Sequence, residues 1–236
     1  MEKKIALILA GCGYLDGSEI REAVLTILNL DEEGFNTESG RLAIFAADDL
    51  QFHTINHKNS EEIADKRNIL AESARIARGA VSPLNELQAK DFDALIIPGG
   101  FGIAKNYSNI ALMAEKAPQN LASAEILPQI KAIIEEFHNA KKPIGAICIA
   151  PALIALALRG KTEGLTITLG NMESNNGLAQ ALGAEHKESS QQEIVIDKAN
   201  RIISTPAYML EGSLANINRG IQKLVTYIAQ SVRNKV

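Results

Sequence analysis

Short, continuous apolar runs alternate with amphipathic stretches along this chain, and that rhythm restricts its fold more than any other feature. Residues 5–10, 42–46, 94–97 and 143–147 are apolar without a break, as strands covered on both faces are. Between them, residues 19–30 place Ile20, Ala23, Val24, Ile27 and Leu28 at helical spacing. Residues 60–78 read as a helix capped by Ser60, with Glu61 and Glu62 suited to its positive end. Residues 124–140 and 213–232 read as two more helices, and 195–205 as two strands joined by a turn. A βαβα order of this kind predicts a mostly parallel sheet between two helical layers. No repeat or Pro/Gly/Ser-rich linker interrupts the 236 residues, so one domain spanning 1–236 is expected. Residues 101–123 are too long for an ordinary strand-to-helix connection and read as an insertion beside the strand ends.

The net charge is −4 and no block of Lys or Arg occurs, which removes the electrostatic basis for a nucleic-acid partner or an anionic membrane surface. With no Trp, four Tyr and six Phe, stacking platforms for bases are not expected either. No apolar run approaches the ~18 residues of a membrane span. Residues 9–12, Leu-Ala-Gly-Cys, look like a lipoprotein processing site, but the apolar run before them is short of a signal core and reads as the first strand. Two cysteines, Cys12 and Cys148, make no disulfide framework and point to a reducing, cytoplasmic setting. No metal is expected: His53 and His57 lie four residues apart but off any clear helix face, and His138 and His186 supply no convincing third ligand.

Ligands of an open parallel sheet bind beyond the carboxyl ends of its strands, and three such ends are chemically distinctive. The first is GCGYLDGSEI, residues 11–20. Its Gly11, Gly13 and Gly17 suggest a dinucleotide loop, with Asp48 and Asp49 placed for a ribose, but the spacing departs from G-x-G-x-x-G. The same stretch can simply cap a helix at Ser18 with Glu19 in its first turn. The second end is Gly99-Gly100, where backbone N–H groups could reach an oxyanion or where the chain merely turns. The third lies in KKPIGAICIAPALIALALRG, residues 141–160. Cys148 there stands between a buried strand and a helix opened by Pro151. A lone apolar cysteine is usually inert core; the start of a helix, with unpaired N–H groups, favours a thiolate instead.

GCGYLDGSEI, GGFG and CIAP, together with LTITLG, GAEH and TPAYML, resemble the ElbB-like family across nearly the whole chain. These are isoprenoid-biosynthesis-associated proteins with an amidotransferase-like domain, in the ThiJ/PfpI branch of the class I glutamine amidotransferase-like superfamily. The resemblance implies a flavodoxin-like three-layer sandwich with a nucleophile elbow at Cys148. It implies that Glu19 contacts that thiol and that Gly99, Gly100 and the N–H of Ile149 bind an oxyanion. Separately, the insertion is polar at Lys105, Asn106 and Asn109 and follows the glycines, so it is expected to wall the site, with Asn106 contacting ligand. The implied activity is a cofactor-independent glyoxalase of the glyoxalase III type. Glyoxal or methylglyoxal would become glycolate or lactate through a Cys148 thiolate, with protein deglycation as a related activity. A homodimer acting on a small dicarbonyl substrate is expected. Two alternatives remain open: a non-enzymatic redox sensor or stress-associated chaperone, and an amidase or glutaminase. Ile149 stands where proteases of the superfamily carry histidine, and STPAYM holds none where glutaminases do, so both hydrolytic activities lose their base.

Overall fold

In the computed structural model, which describes residues 2–171 and 173–234, the apolar runs form the centre of a seven-stranded sheet. In chain order the elements are β1 (Ile5–Ile8), α1 (Ile20–Glu32), β2 (Leu42–Ala46), β3 (Thr54–Asn56), β4 (Glu61–Ile63), α2 (Ile69–Ile76), β5 (Ser82–Pro83) and β6 (Ala94–Ile97). There follow α3 (Phe101–Lys105), α4 (Ile110–Lys116), α5 (Pro128–Asn139), β7 (Ile144–Ile147), α6 (Ala150–Leu158), β8 (Thr166–Ile167) and α7 (Glu173–Ala181). The chain closes with β9 (Glu185–His186), β10 (Val195–Asp197), β11 (Ile202–Thr205) and α8 (Leu214–Asn234). The sheet order is β10-β11-β7-β6-β1-β2-β5, parallel throughout except for the antiparallel edge strand β10. This is the mostly parallel, helix-covered architecture anticipated from the alternation.

Strands β1, β6 and β7 are buried on both faces, which is why they show no apolar–polar alternation. One face, with Ile8, Leu95, Ile97 and Ala146, packs under α3, α5 and α6. The other, with Leu7, Leu9, Ile96 and Ile203, packs under α1 and α8. Helix α6 is buried along its whole length, so it is apolar all round.

One local expectation is corrected. Residues 60–78 are not one helix: β3 and β4 form a hairpin, and helix begins only at Ile69, capped by Asn68, whose side chain accepts the Ala71 N–H at 2.9 Å. Ser60 has φ +62°, a left-handed turn conformation that no N-cap adopts. Helix α1 forms where the spacing places it and turns part of its apolar stripe outward. Its buried side chains include Glu22, Thr26 and Asn29, while Ile20, Val24 and Leu28 are 43, 47 and 48 % exposed.

Candidate functional site

The carboxyl ends of β1, β6 and β7 meet at a cleft of ≈ 330 Å³ lined by Tyr14, Glu19, Gly100, Phe101, Cys148, Ile149, Tyr208 and Met209. Cys148 follows β7 directly, and its N–H still reaches the neighbouring strand, bonding Thr205 O at 2.9 Å. The chain then turns at once into α6, and Cys148 adopts φ +62°, a conformation that costs a non-glycine residue about 1–3 kcal/mol. The sheet ladder on one side and the buried helix on the other hold it there. The side chain is 7 % exposed, and its sulfur accepts the N–H groups of Gly100 and Ile149.

The carboxyl group against that sulfur is Glu22, not Glu19. Glu22 is fully buried beneath the cleft floor and hydrogen-bonded to the Cys148 side chain. Its Oε2 accepts the Gly99 N–H at 3.0 Å and its Oε1 accepts the Tyr208 N–H at 3.2 Å. Glu19 instead caps α1, its Oε2 accepting the Glu22 N–H at 2.6 Å, and lines the cleft from the side, half-buried. The expected contact of Glu19 with the thiol is therefore replaced by one a helical turn further on. Side chains three residues apart share a helix face, so the glutamate spacing was the available signal. Ser18 does not cap the helix either, since its Oγ accepts the Ala10 N–H.

Burial, and next the Glu19 charge, push Glu22 up to about 8, against which the N–H groups of Tyr208 and Gly99 and the Cys148 thiol pull only partly. Burial, and next Glu22, push the Cys148 thiol well up, although the N–H groups of Gly100 and Ile149 favour its anion. The expectation that the start of α6 would by itself make a thiolate is corrected, because the site is too dry and too close to a carboxyl group. The two groups titrate as a pair. Below about 8 the pair keeps both protons, and above that pH one proton lies between oxygen and sulfur.

The glycines have different tasks. A Cβ at Gly99 would overlap that of Cys148 and sit 2.6 Å from Glu22 Oε2, so only glycine lets the two groups meet there. The Gly99 N–H is spent on Glu22 and is not available to an oxyanion, whereas those of Gly100 and Ile149 converge on the sulfur. Gly100, at φ +103°, starts α3.

Asn106 does not reach the cleft. Its Nδ2 donates to Ala10 O and Asp16 O at 2.9 and 3.0 Å, and its Oδ1 accepts the Phe52 N–H at 2.9 Å. It staples three loops together. Of residues 101–123, Phe101 lines the cleft; Ile103, Ala104 and Tyr107 are buried in the core behind it. Cys12 lies apart from the cleft, with burial as the main cause raising its thiol. No histidine lines the cleft, the nearest feature being an edge contact of His57 with Tyr14 at 5.4 Å between centroids. The glycine turn closes on itself, with Gly13 N–H to Ser18 O, Gly17 N–H to Gly13 O and Ser18 N–H to Gly11 O. Those donors are not offered to a phosphate. Among the described residues no group of His, Cys, Asp or Glu is arranged to hold a metal, and no helix is long and apolar enough to cross a membrane.

No family model matches the chain. It is 38 % identical to the rat ES1 protein homolog, mitochondrial, over 96 % of this chain and 83 % of that one. It is also 38 % identical to the human glutamine amidotransferase-like class 1 domain-containing protein 3, mitochondrial, over 96 % of this chain and 82 % of that one. Among solved structures, an isoprenoid biosynthesis protein with amidotransferase-like domain from Ehrlichia chaffeensis superposes with a TM-score of 0.86 at 42 % identity, covering 97 % of this chain and 99 % of that one. The fold is the α/β, flavodoxin-like one of ThiJ/PfpI proteins. The cytoplasmic expectation drawn from cysteine usage is corrected, since the rat and human relatives are both named as mitochondrial proteins.

Proposed function

Because the chain belongs to the ES1 family of class I glutamine amidotransferase-like proteins, we propose that it is a cofactor-independent glyoxalase whose reacting pair is Cys148 and Glu22. The observation that carries this reading is a thiol hydrogen-bonded to a buried carboxyl group at the floor of a ligand-sized cleft. The sulfur of Cys148 adds to the aldehyde carbon of an α-ketoaldehyde. The carbonyl π pair moves to oxygen, which takes the proton held between the pair, and a hemithioacetal forms. The Glu22 carboxylate then removes the hydrogen on that carbon to give an enediolate and returns it to the neighbouring carbon, while the hydroxyl proton passes to the neighbouring oxygen, leaving a 2-hydroxy thioester. Water cleaves the thioester, restoring the thiol and releasing lactate from methylglyoxal or glycolate from glyoxal. One carbon is oxidised and its neighbour reduced, so no external oxidant is needed. The N–H groups of Gly100 and Ile149, which bond the sulfur, would stabilise the oxyanions of addition and hydrolysis in this reading. Glu19 tunes the pair by its charge.

An amidase or glutaminase reading lacks an imidazole in the cleft. A redox sensor needs an acidic thiol, and burial together with Glu22 pushes that of Cys148 well up. The test is methylglyoxal turnover by Cys148→Ser beside Cys12→Ser. The first variant should lose turnover and the second keep most of it. Stoichiometric oxidation of Cys148 in a protein that turns over no dicarbonyl would favour the sensor.

Residues 1–236 are read as one domain organised on the large sheet, with 101–123 as an insertion at the cleft. A homodimer through the outer face of α1 is part of the proposal. The stripe Ile20, Val24 and Leu28 follows the four-residue ridge of helix packing and borders a groove of ≈ 470 Å³ lined also by Ile27, Ile44 and Ile76. An antiparallel pairing with a second copy that sets Val24 against Leu28 brings the exposed Arg21, whose Nη1 donates to the Tyr208 hydroxyl while its other donors face outward, to the exposed Asp31 at each end.

A further inference from the structure

The cleft is much larger than the dicarbonyls named above and has a character they do not use. A liquid water takes roughly 30 Å³, so ≈ 330 Å³ holds on the order of ten waters, where a two- or three-carbon dicarbonyl displaces only a few. Beyond the sulfur, the walls are Tyr14, Phe101, Ile149, Tyr208 and Met209. Tyr14 and Phe101 are 47 and 43 % exposed, so each ring keeps an open face at the cleft. Both are held from outside the cleft: Tyr14 has the His57 ring against it, and the Lys105 ammonium lies 4.9 Å from the Phe101 ring centroid. The Met209 side chain supplies a polarisable, adaptable surface that suits an aromatic ring.

Charge narrows the ligand further. Among the described residues Glu19 is the one carboxylate or ammonium-type group that lines the cleft, with no Lys or Arg beside it, and Glu22 lies just beneath the floor. Arg21 donates to the Tyr208 hydroxyl at 3.0 Å, and Lys105 is engaged by His53 Nε2 at 3.2 Å and the Phe101 ring. An anionic group would meet like charge with no cation in the cleft to receive it.

Resting on the Cys148–Glu22 chemistry, we propose that the site takes an uncharged α-ketoaldehyde bearing an aromatic or bulky apolar substituent, in preference to glyoxal, methylglyoxal or any anionic aldehyde. The aldehyde carbon sits at the sulfur, the oxygen between the N–H groups of Gly100 and Ile149, and the substituent between Tyr14, Phe101 and Met209.

Three probes separate size from charge: methylglyoxal, phenylglyoxal and para-carboxyphenylglyoxal, followed by release of lactate, mandelate or carboxymandelate. Apolar pocket contacts discriminate by about 10–200-fold, so kcat/KM for phenylglyoxal should exceed that for methylglyoxal by roughly tenfold or more. The para-carboxylate should lower it again by a similar factor, and Glu19→Gln should narrow that second gap. Phe101→Ala should reduce the phenylglyoxal-to-methylglyoxal ratio. A ratio at or below one, or a ratio indifferent to Phe101→Ala, overturns the assignment. If no dicarbonyl is turned over, the glyoxalase reading fails, and the cleft preference is read by binding instead. Acetophenone should then protect Cys148 from iodoacetamide at far lower concentration than acetone or 4-acetylbenzoate, and equal protection by all three overturns it.

Discussion

Two glutamates one helical turn apart carry different duties, and the difference is one of hydration. Glu19 keeps an edge in the cleft and spends its carboxylate on the helix start, while Glu22 is fully buried and pushed up to about 8. The carboxyl of Glu22 ordinarily titrates at 4.5, so the fold favours its protonated form. That stabilisation is complete below about 4.5 and is lost as pH rises towards about 8. Urea unfolding should therefore show the wild type losing stability across this window relative to Glu22→Gln, which has nothing to titrate. Turnover should move oppositely and rise through about 8, because deprotonation leaves the single shared proton that addition requires. A flat activity profile from 6 to 9 would remove Glu22 from the reaction. The sequence makes Cys148 legible because only a strand end meeting a proline-opened helix sets a thiol so. It does not single out Glu22, because charge patterning alone assigns a first-turn glutamate to the positive end of the helix and to solvent.

Helix α1 shows why an element can be legible while its orientation is not. Its apolar residues fall at helical spacing, which fixes the element but not the face it buries. The chain buries Glu22 against the thiol, Thr26 with its hydroxyl on Glu22 O at 2.7 Å, and Asn29 with its amide on Asn218 Oδ1 of α8 at 2.9 Å. Periodicity reports that a helix has two unlike faces; what covers each face is a tertiary fact. The hairpin β3–β4 was hidden for a related reason, since Glu61 and Glu62 suit a helix start and a strand pair alike. At this scale Gly99→Ala is the sharpest test of the floor. A methyl group there displaces Cys148 or Glu22, so turnover should fall at least about tenfold, on the reasoning that small misplacements of reacting groups cost up to ~10²-fold. Circular dichroism would confirm the fold.

For the whole molecule, the sheet places its functional groups where parallel sheets place them, beyond the carboxyl ends of β1, β6 and β7. The apolar outer face of α1 gives this scale its own prediction. Light scattering should report a mass near twice the 25.4 kDa chain. Val24→Glu with Leu28→Glu should give monomer, and Arg21→Asp should weaken a dimer that Asp31→Arg in the same chain restores. A monomeric wild type would contradict that interface and leave the cleft chemistry untouched. The chemistry is tested most directly by methylglyoxal turnover in Glu22→Gln, measured beside Glu19→Gln on protein whose Cys148 still alkylates. Glu22→Gln should lose about 10²-fold or more, the scale of lost general acid–base help, and Glu19→Gln distinctly less. Full turnover in Glu22→Gln, or the greater loss in Glu19→Gln, would contradict the pairing of Cys148 with Glu22.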